Sequence, residues 1–143
     1  TVMKNGRNPI IAHEFLGDSV EGKDLLVIDD MISSGESMIE LARKLKERGA
    51  NKIFCIATFG LFTDGLEEFD RAHKDGVINN VLCTNLIYRS PELLAAPWYI
   101  DVNMAKFVAL LIDAMNHNAS ISTLIDPTAK ISTLLDKRRK AGC

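Results

Sequence analysis

Two adjacent carboxylates, Asp29 and Asp30, close the apolar run Leu25-Leu26-Val27-Ile28. Met31-Ile32-Ser33-Ser34-Gly35-Glu36-Ser37 follows at once. Carboxylates accept hydrogen bonds and donate none, so such a pair suits a ligand with two neighbouring hydroxyls, or a hydroxyl and a bound cation. A loop from Ser33 to Ser37 that opens a helix would aim successive backbone N–H groups at the positive end of that helix. The hydroxyls of Ser33, Ser34 and Ser37 add donors, and Gly35 would let the backbone approach an anion without a side chain in the way. Together these make a cradle for a phosphate monoester. Phosphate at one end and a vicinal diol at the other describe a pentose phosphate. Each feature alone has a plainer reading. A serine before a helix is usually an N-cap worth about 1 kcal/mol, and acids are common at strand ends. The second glycine and the lysine of a P-loop are missing, so a nucleoside triphosphate is not expected on this loop.

The elements that must hold these residues follow from the apolar pattern. Leu25 to Ile28 has no alternation, which predicts a strand covered on both faces in a parallel sheet. A helix is expected over about 36–48, with Met38, Leu41, Ala42 and Leu45 as its apolar stripe and Gly49 as its stop. The rhythm repeats with a strand at 52–58, a short helix at 66–74 ended by Gly76, and a strand at 80–84. A loop through Pro91 and Pro97 leads to an apolar helix over about 102–115, whose breadth predicts core burial. A last amphipathic helix begins after Asp126-Pro127. A further strand is expected within Val2 to Leu16, followed by a turn at Gly17 to Gly22. Strand–helix alternation predicts an α/β fold, a doubly wound, mostly parallel sheet flanked by helices, forming one domain over 1–143. Ligands of such sheets bind beyond the carboxyl ends of the strands, where Asp29 to Ser37 would lie.

Bulk properties exclude several classes. The 143 residues are 47% hydrophobic and 25% charged, which fits a packed domain rather than a disordered chain. A net charge of −2 disfavours a nucleic-acid surface, and the basic run Lys137-Arg138-Arg139-Lys140 reads as the solvated end of the last helix. No apolar stretch is long enough to cross a bilayer, and no signal peptide is visible. Cys55 and Cys83 lie in apolar strand-like runs and read as reduced buried thiols. With Cys143 they are too few and too dispersed for zinc, which points to a cytoplasmic protein. His13, His73 and His117 show no ligand spacing. A start at Thr1 without Met is what a piece of a longer chain would have.

The segment Val27 to Ser37 resembles the phosphoribosyl-binding motif shared by type I phosphoribosyltransferases and ribose-phosphate pyrophosphokinases. Its surroundings resemble the C-terminal domain of the pyrophosphokinases: Asn8-Pro9-Ile10-Ile11-Ala12-His13-Glu14-Phe15-Leu16-Gly17, Val20-Glu21-Gly22-Lys23, Thr58-Phe59-Gly60-Leu61-Phe62, Thr84-Asn85-Leu86 and Ser120-Ile121-Ser122. The resemblance covers nearly the whole chain. It implies a type I phosphoribosyltransferase-like fold and an enzyme that moves pyrophosphate from ATP to C1 of ribose 5-phosphate. The products are phosphoribosyl pyrophosphate, for nucleotide biosynthesis, and AMP. It further implies that Ser33, Ser34, Gly35, Glu36 and Ser37 hold the 5-phosphate and that Asp29 and Asp30 hold the ribose hydroxyls. Magnesium and ATP belong to the full-length enzyme, with no metal site on this chain, and the intact protein is expected to be a homo-oligomer, commonly a hexamer in the family. Serine at 33 and glutamate at 36 depart from the family loop, which often has an acid and a glycine there, so Glu36 must point away from a phosphate.

The resemblance also implies what is missing. ATP-binding segments belong to an N-terminal domain, and a mobile loop with the catalytic lysine and arginine is expected upstream of Thr1. Lys4 and Arg7 lie near that end without a Lys-Arg-Arg string. This piece alone is therefore expected to be inactive. A phosphoribosyltransferase would use the same cradle but needs a hood for its base and a pyrophosphate loop, and no segment suits either. A non-catalytic regulatory homologue remains an alternative. A response-regulator receiver domain is excluded, because its second strand should end in aspartate and Lys52 to Thr58 ends in threonine and phenylalanine. Trp98 and Tyr99 read as an anchor for the long loop. Thr58 to Gly65 reads equally as an ordinary connection or as a cover over substrate.

Overall fold

A computed structural model describes residues 19–141. The described elements are β1 (Leu25–Ile32), α1 (Glu36–Glu47), β2 (Ile53–Gly60), α2 (Glu67–Lys74), β3 (Asn80–Thr84), α3 (Pro91–Ala95), β4 (Tyr99–Val102), α4 (Ala105–Asn116), α5 (Ser122–Ile125) and α6 (Thr128–Lys140). The strand expected within Val2 to Leu16, together with Lys4, Arg7, His13 and Cys143, falls outside the described residues. The sequence reading treats 1–143 as one domain. Internal contacts group the chain into two compact units that divide after Val102, β1 to β4 belonging to the first and α4 to α6 to the second.

The α/β expectation of a parallel sheet with helices holds. All four strands are parallel in the order β1-β2-β3-β4, with Leu25 opposite Ile53, Cys55 opposite Val81 and Val81 opposite Tyr99. Right-handed crossovers that always step the same way put their helices on one face. That face is the core: Ile53, Cys55, Ala57, Val81 and Cys83 pack with Met38, Ile39, Ala42 and Leu45 of α1 and Phe69 and Ala72 of α2. The opposite face is open at Leu26, 55% exposed, and at Ile28, 71% exposed. The expectation that β1 is covered on both faces is thus corrected. Among the described strands the winding never reverses, so the other face receives no crossover helix.

Helix α1 ends as its sequence predicts. Gly49 takes φ 86°, Ala50 N–H donates to the Leu45 carbonyl at 3.1 Å and Gly49 N–H to that of Lys46 at 2.9 Å, the pairing of a Schellman cap. The proline-marked loop contains more structure than expected. Ser90 caps α3 by accepting from Leu93 N–H at 3.2 Å, Pro91 occupies its first turn, and β4 follows directly. In the second unit, α4 starts at Ala105 and buries Ala114, whereas Ile112 and Met115 are exposed. Core burial around that helix is therefore not found. A unit of this size has too little surrounding chain to cover an apolar helix on all sides. The basic run forms the last turn of the exposed α6.

Cys55 in β2 and Cys83 in β3 are free and buried, offset by two residues in register, with Cys83 opposite Ala57. Burial is the main cause that pushes the Cys55 thiol from its ordinary 9.0 to about 12, with Cys83 adding to it, and the Cys83 thiol to about 11. Both should stay unmodified by a thiol reagent at pH 8 and react once urea unfolds the chain. Because the folded values are raised, the neutral thiols favour the fold fully below pH 9. Unfolding then becomes easier as pH rises from about 9 toward 12. Rapid labelling of the native thiols, mapped by mass spectrometry, or an alkaline stability curve flat through that window would contradict this.

Candidate functional site

The sequence places the carboxylates at the end of β1, but the strand continues through Ile32. Alternation therefore applies to both acids, which project to opposite faces. Asp29 lines a pocket of about 120 Å³ together with Ser33, Ser34, Gly35 and Ser37, and Met31, Ile32 and Met38 complete the wall. Asp30 is exposed and is not part of that wall. Its backbone N–H instead donates to Asp29 Oδ1 at 2.8 Å, which fixes the Asp29 carboxylate and leaves its second oxygen for a ligand. The pocket is small against the roughly 300–1,000 Å³ of drug-sized ligand sites.

None of the loop serines is the cap of α1. The N-cap is Gly35, at φ 88° and ψ −5°, and no side chain closes the first turn. Glu36 N–H donates to Ser34 Oγ at 3.4 Å, a long hydrogen bond from outside the N-cap position that engages one first-turn N–H. The plain reading of these serines as helix caps is therefore not what the geometry shows. Beyond Glu36, the next first-turn N–H groups, of Ser37 and Met38, have no side-chain cap and lie at the end of the helix that favours negative charge.

Glu36 is not in the wall of the serine-lined pocket, although Ser34 is shared between that pocket and the one beside it. Glu36 lines this second cavity, of about 350 Å³ beside α1, with Glu40, Asp64 and Glu68. Arg43 also lines that cavity, with its guanidinium 3.6 Å from Glu68. Four acids against one arginine give that cavity the wrong sign for a phosphate, so the smaller serine-lined pocket is the better anion site.

The chain matches known proteins over most of its length. The family model of the phosphoribosyl synthetase-associated domain matches residues 3–126. The chain belongs to that family. It is 32% identical over 111 residues to the ribose-phosphate pyrophosphokinase of Vibrio parahaemolyticus, covering 78% of this chain and 34% of the relative. It is 33% identical over 109 residues to that of Shewanella oneidensis, covering 76% and 33%. The chain thus spans about a third of the length of these relatives. In fold it is similar to a phosphoribosylpyrophosphate synthetase from Mycobacterium smegmatis, with a TM-score of 0.63 at 24% identity over 72% of this chain and 33% of that one.

Within this phosphoribosyl synthetase-associated domain, two supports of the loop have no signal in the motif itself. Thr63 N–H donates to the Ser33 carbonyl at 3.0 Å, and Leu61 N–H to that of Ile32 at 2.8 Å. The β2–α2 connection is thereby tied to the β1–α1 loop. The role expected of Gly35 also changes. A Cβ on Gly35 would lie 2.2 Å from Cε2 and Cζ of Phe69, so the crowding that demands glycine comes from the protein interior. Among the described residues no three His, Cys, Asp or Glu side chains are grouped to hold a metal ion. No helix among the described residues is long and apolar enough to cross a membrane.

Proposed function

We propose that this domain holds ribose 5-phosphate for a ribose-phosphate diphosphokinase, which transfers pyrophosphate from ATP to C1 of the sugar. The observation that carries this is the pocket whose wall Asp29 shares with Ser33, Ser34, Ser37 and the start of α1. The 5-phosphate would accept hydrogen bonds from the first-turn N–H groups and from Ser33, Ser34 and Ser37. Asp29 would accept one from a ribose hydroxyl. Asp30, on the other face of β1, would reach the diol only where the sugar crosses the strand. Gly35 shapes the turn, and Glu36 lies outside the pocket wall. The contribution of these groups is positioning, which brings C1–OH to the transferred phosphoryl group and holds it there.

ATP, the magnesium that accompanies it and the catalytic lysine and arginine would be supplied by other parts of the full-length protein. The chain by itself is therefore proposed to be inactive. A cytoplasmic homo-oligomer, of the kind common in the family, is the proposed setting. In the full-length protein, Asp29→Asn should raise the KM for ribose 5-phosphate about tenfold to a hundredfold, since a hydrogen bond to a charged group contributes about 1.5–3 kcal/mol. The KM for ATP should stay within about twofold, and Asp30→Asn should have the smaller effect. Following AMP formation while each substrate is varied tests this. Equal effects on both substrates, or none from Asp29→Asn, would sink it.

A further inference from the structure

We infer that Phe69, on α2, is a positioning residue for the phosphate-binding turn. This deepens the reading of that turn as the 5-phosphate site and rests on it. Phe69 is fully buried. Its ring edge lies flush against Gly35, so closely that no Cβ could fit between them. Gly35 is the residue where the loop becomes α1, and the direction of the first-turn N–H groups depends on where it sits.

Helix α1 ties the turn by one backbone hydrogen bond, Ile39 N–H donating to the Gly35 carbonyl at 3.0 Å, and the rest of the support must come from elsewhere. No side chain caps the helix, and Gly35 itself takes the left-handed conformation, in which glycine is the least restrained residue. The ring, by contrast, cannot swing away. It stacks on Trp98 at 5.2 Å with 24° between planes, and Phe62 meets it edge-on at 5.1 Å and 80°. Phe62 adjoins Thr63, whose N–H holds the Ser33 carbonyl. One stretch of chain, 61–69, therefore grips the phosphate turn at both ends, by a hydrogen bond at Ser33 and by ring contact at Gly35. Donors aimed at an anion lose effect when displaced by about an ångström. A smaller side chain at 69 would leave a gap into which Gly35 could sink.

The test is a calorimetric titration of the full-length protein and its variants with ribose 5-phosphate and, separately, with ATP. Phe69→Leu should weaken ribose 5-phosphate binding about tenfold and leave ATP binding within about twofold, while Phe69→Met, whose longer, flexible side chain can reach further toward Gly35, should lose less. Should Phe69→Leu fail to fold, as judged by circular dichroism, Phe69→Met is held to the same comparison of the two ligands. If Asp29→Asn and Ser34→Ala weaken ribose 5-phosphate binding but neither Phe69 variant does, the inference is wrong and the site reading survives. Equal weakening of both ligands by the Phe69 variants would reduce Phe69 to a general structural residue and also overturn it. If no variant of Asp29, Ser34 or Phe69 alters ribose 5-phosphate binding, the site reading itself falls.

Discussion

Gly35→Ala is expected to abolish measurable ribose 5-phosphate binding and to destabilise the fold by about 2–5 kcal/mol. Two independent costs add. An L-residue held at φ 88° carries about 1–2 kcal/mol of backbone strain, and forcing a methyl group into a packed site costs about 1–3 kcal/mol more. The collision is severe, because the nearest ring carbons stand 2.2 Å from the new atom and Phe69 is wedged between Trp98 and Phe62. Gly35→Asn separates the two costs. Asparagine tolerates the left-handed region better than alanine does, so a purely conformational requirement would leave this variant close to normal. If the ring contact dominates, Asn should be as damaging as Ala, and adding Phe69→Leu to Gly35→Ala should restore part of the lost stability. Urea unfolding of the four proteins decides between these outcomes. A Gly35→Ala protein with unchanged midpoint and unchanged sugar phosphate binding would show that the turn is not built this way.

The contrast between the two sides of Gly35 shows what the sequence could convey. A glycine after two serines, at the junction of a strand and a helix, marks a turn that could face an anion, and the structure places it in that turn. Which side of the glycine is crowded depends on Phe69, a residue of α2, the helix after the one Gly35 opens, and no local pattern connects them. The carboxylates make the opposite case. Their separation onto two faces was legible from the period of two along a strand, yet it was obscured by ending the strand at Asp30. The backbone keeps its pairing past that point, with Met31 opposite Phe59 and Ile32 opposite Gly60. Element types were readable where apolar runs alternated with amphipathic ones, as at β1, α1 and β3. They were missed between Pro91 and Pro97, where proline was taken as loop punctuation although Ser90 followed by Pro91 is also a helix start. How many faces of β1 are covered was not legible at all. Four apolar residues in a row have the same composition whether one layer of helices packs on them or two, and strand order decides the matter.

Trp98→Ala should be the most destabilising single truncation in the first unit, at about 3–5 kcal/mol. The side chain is completely buried, its indole N–H donates to Asp70 Oδ1 at 2.7 Å, and its ring lies within 6.1 Å, centroid to centroid, of Phe69, Phe62 and Tyr99. Removing it leaves a cavity that three rings held in place by one another cannot readily fill. Asp70 is exposed, so its freed carboxylate can turn to water and adds little to the loss. Trp98→Phe should therefore retain most of the stability, losing mainly the hydrogen bond, about 1–3 kcal/mol for one made to a charged acceptor. Because Phe69 rests on Trp98 and Gly35 rests on Phe69, the effect should reach the site in that order. Trp98→Phe, folded at 25 °C, should still show weaker ribose 5-phosphate binding than the parent, by a smaller factor than Phe69→Leu. A Trp98→Ala protein that unfolds at the same urea concentration as the parent would mean that the aromatic cluster does not hold the unit together. Loosened sugar phosphate binding in Trp98→Phe with an unaltered Phe69→Leu would reverse the order of support argued for the turn.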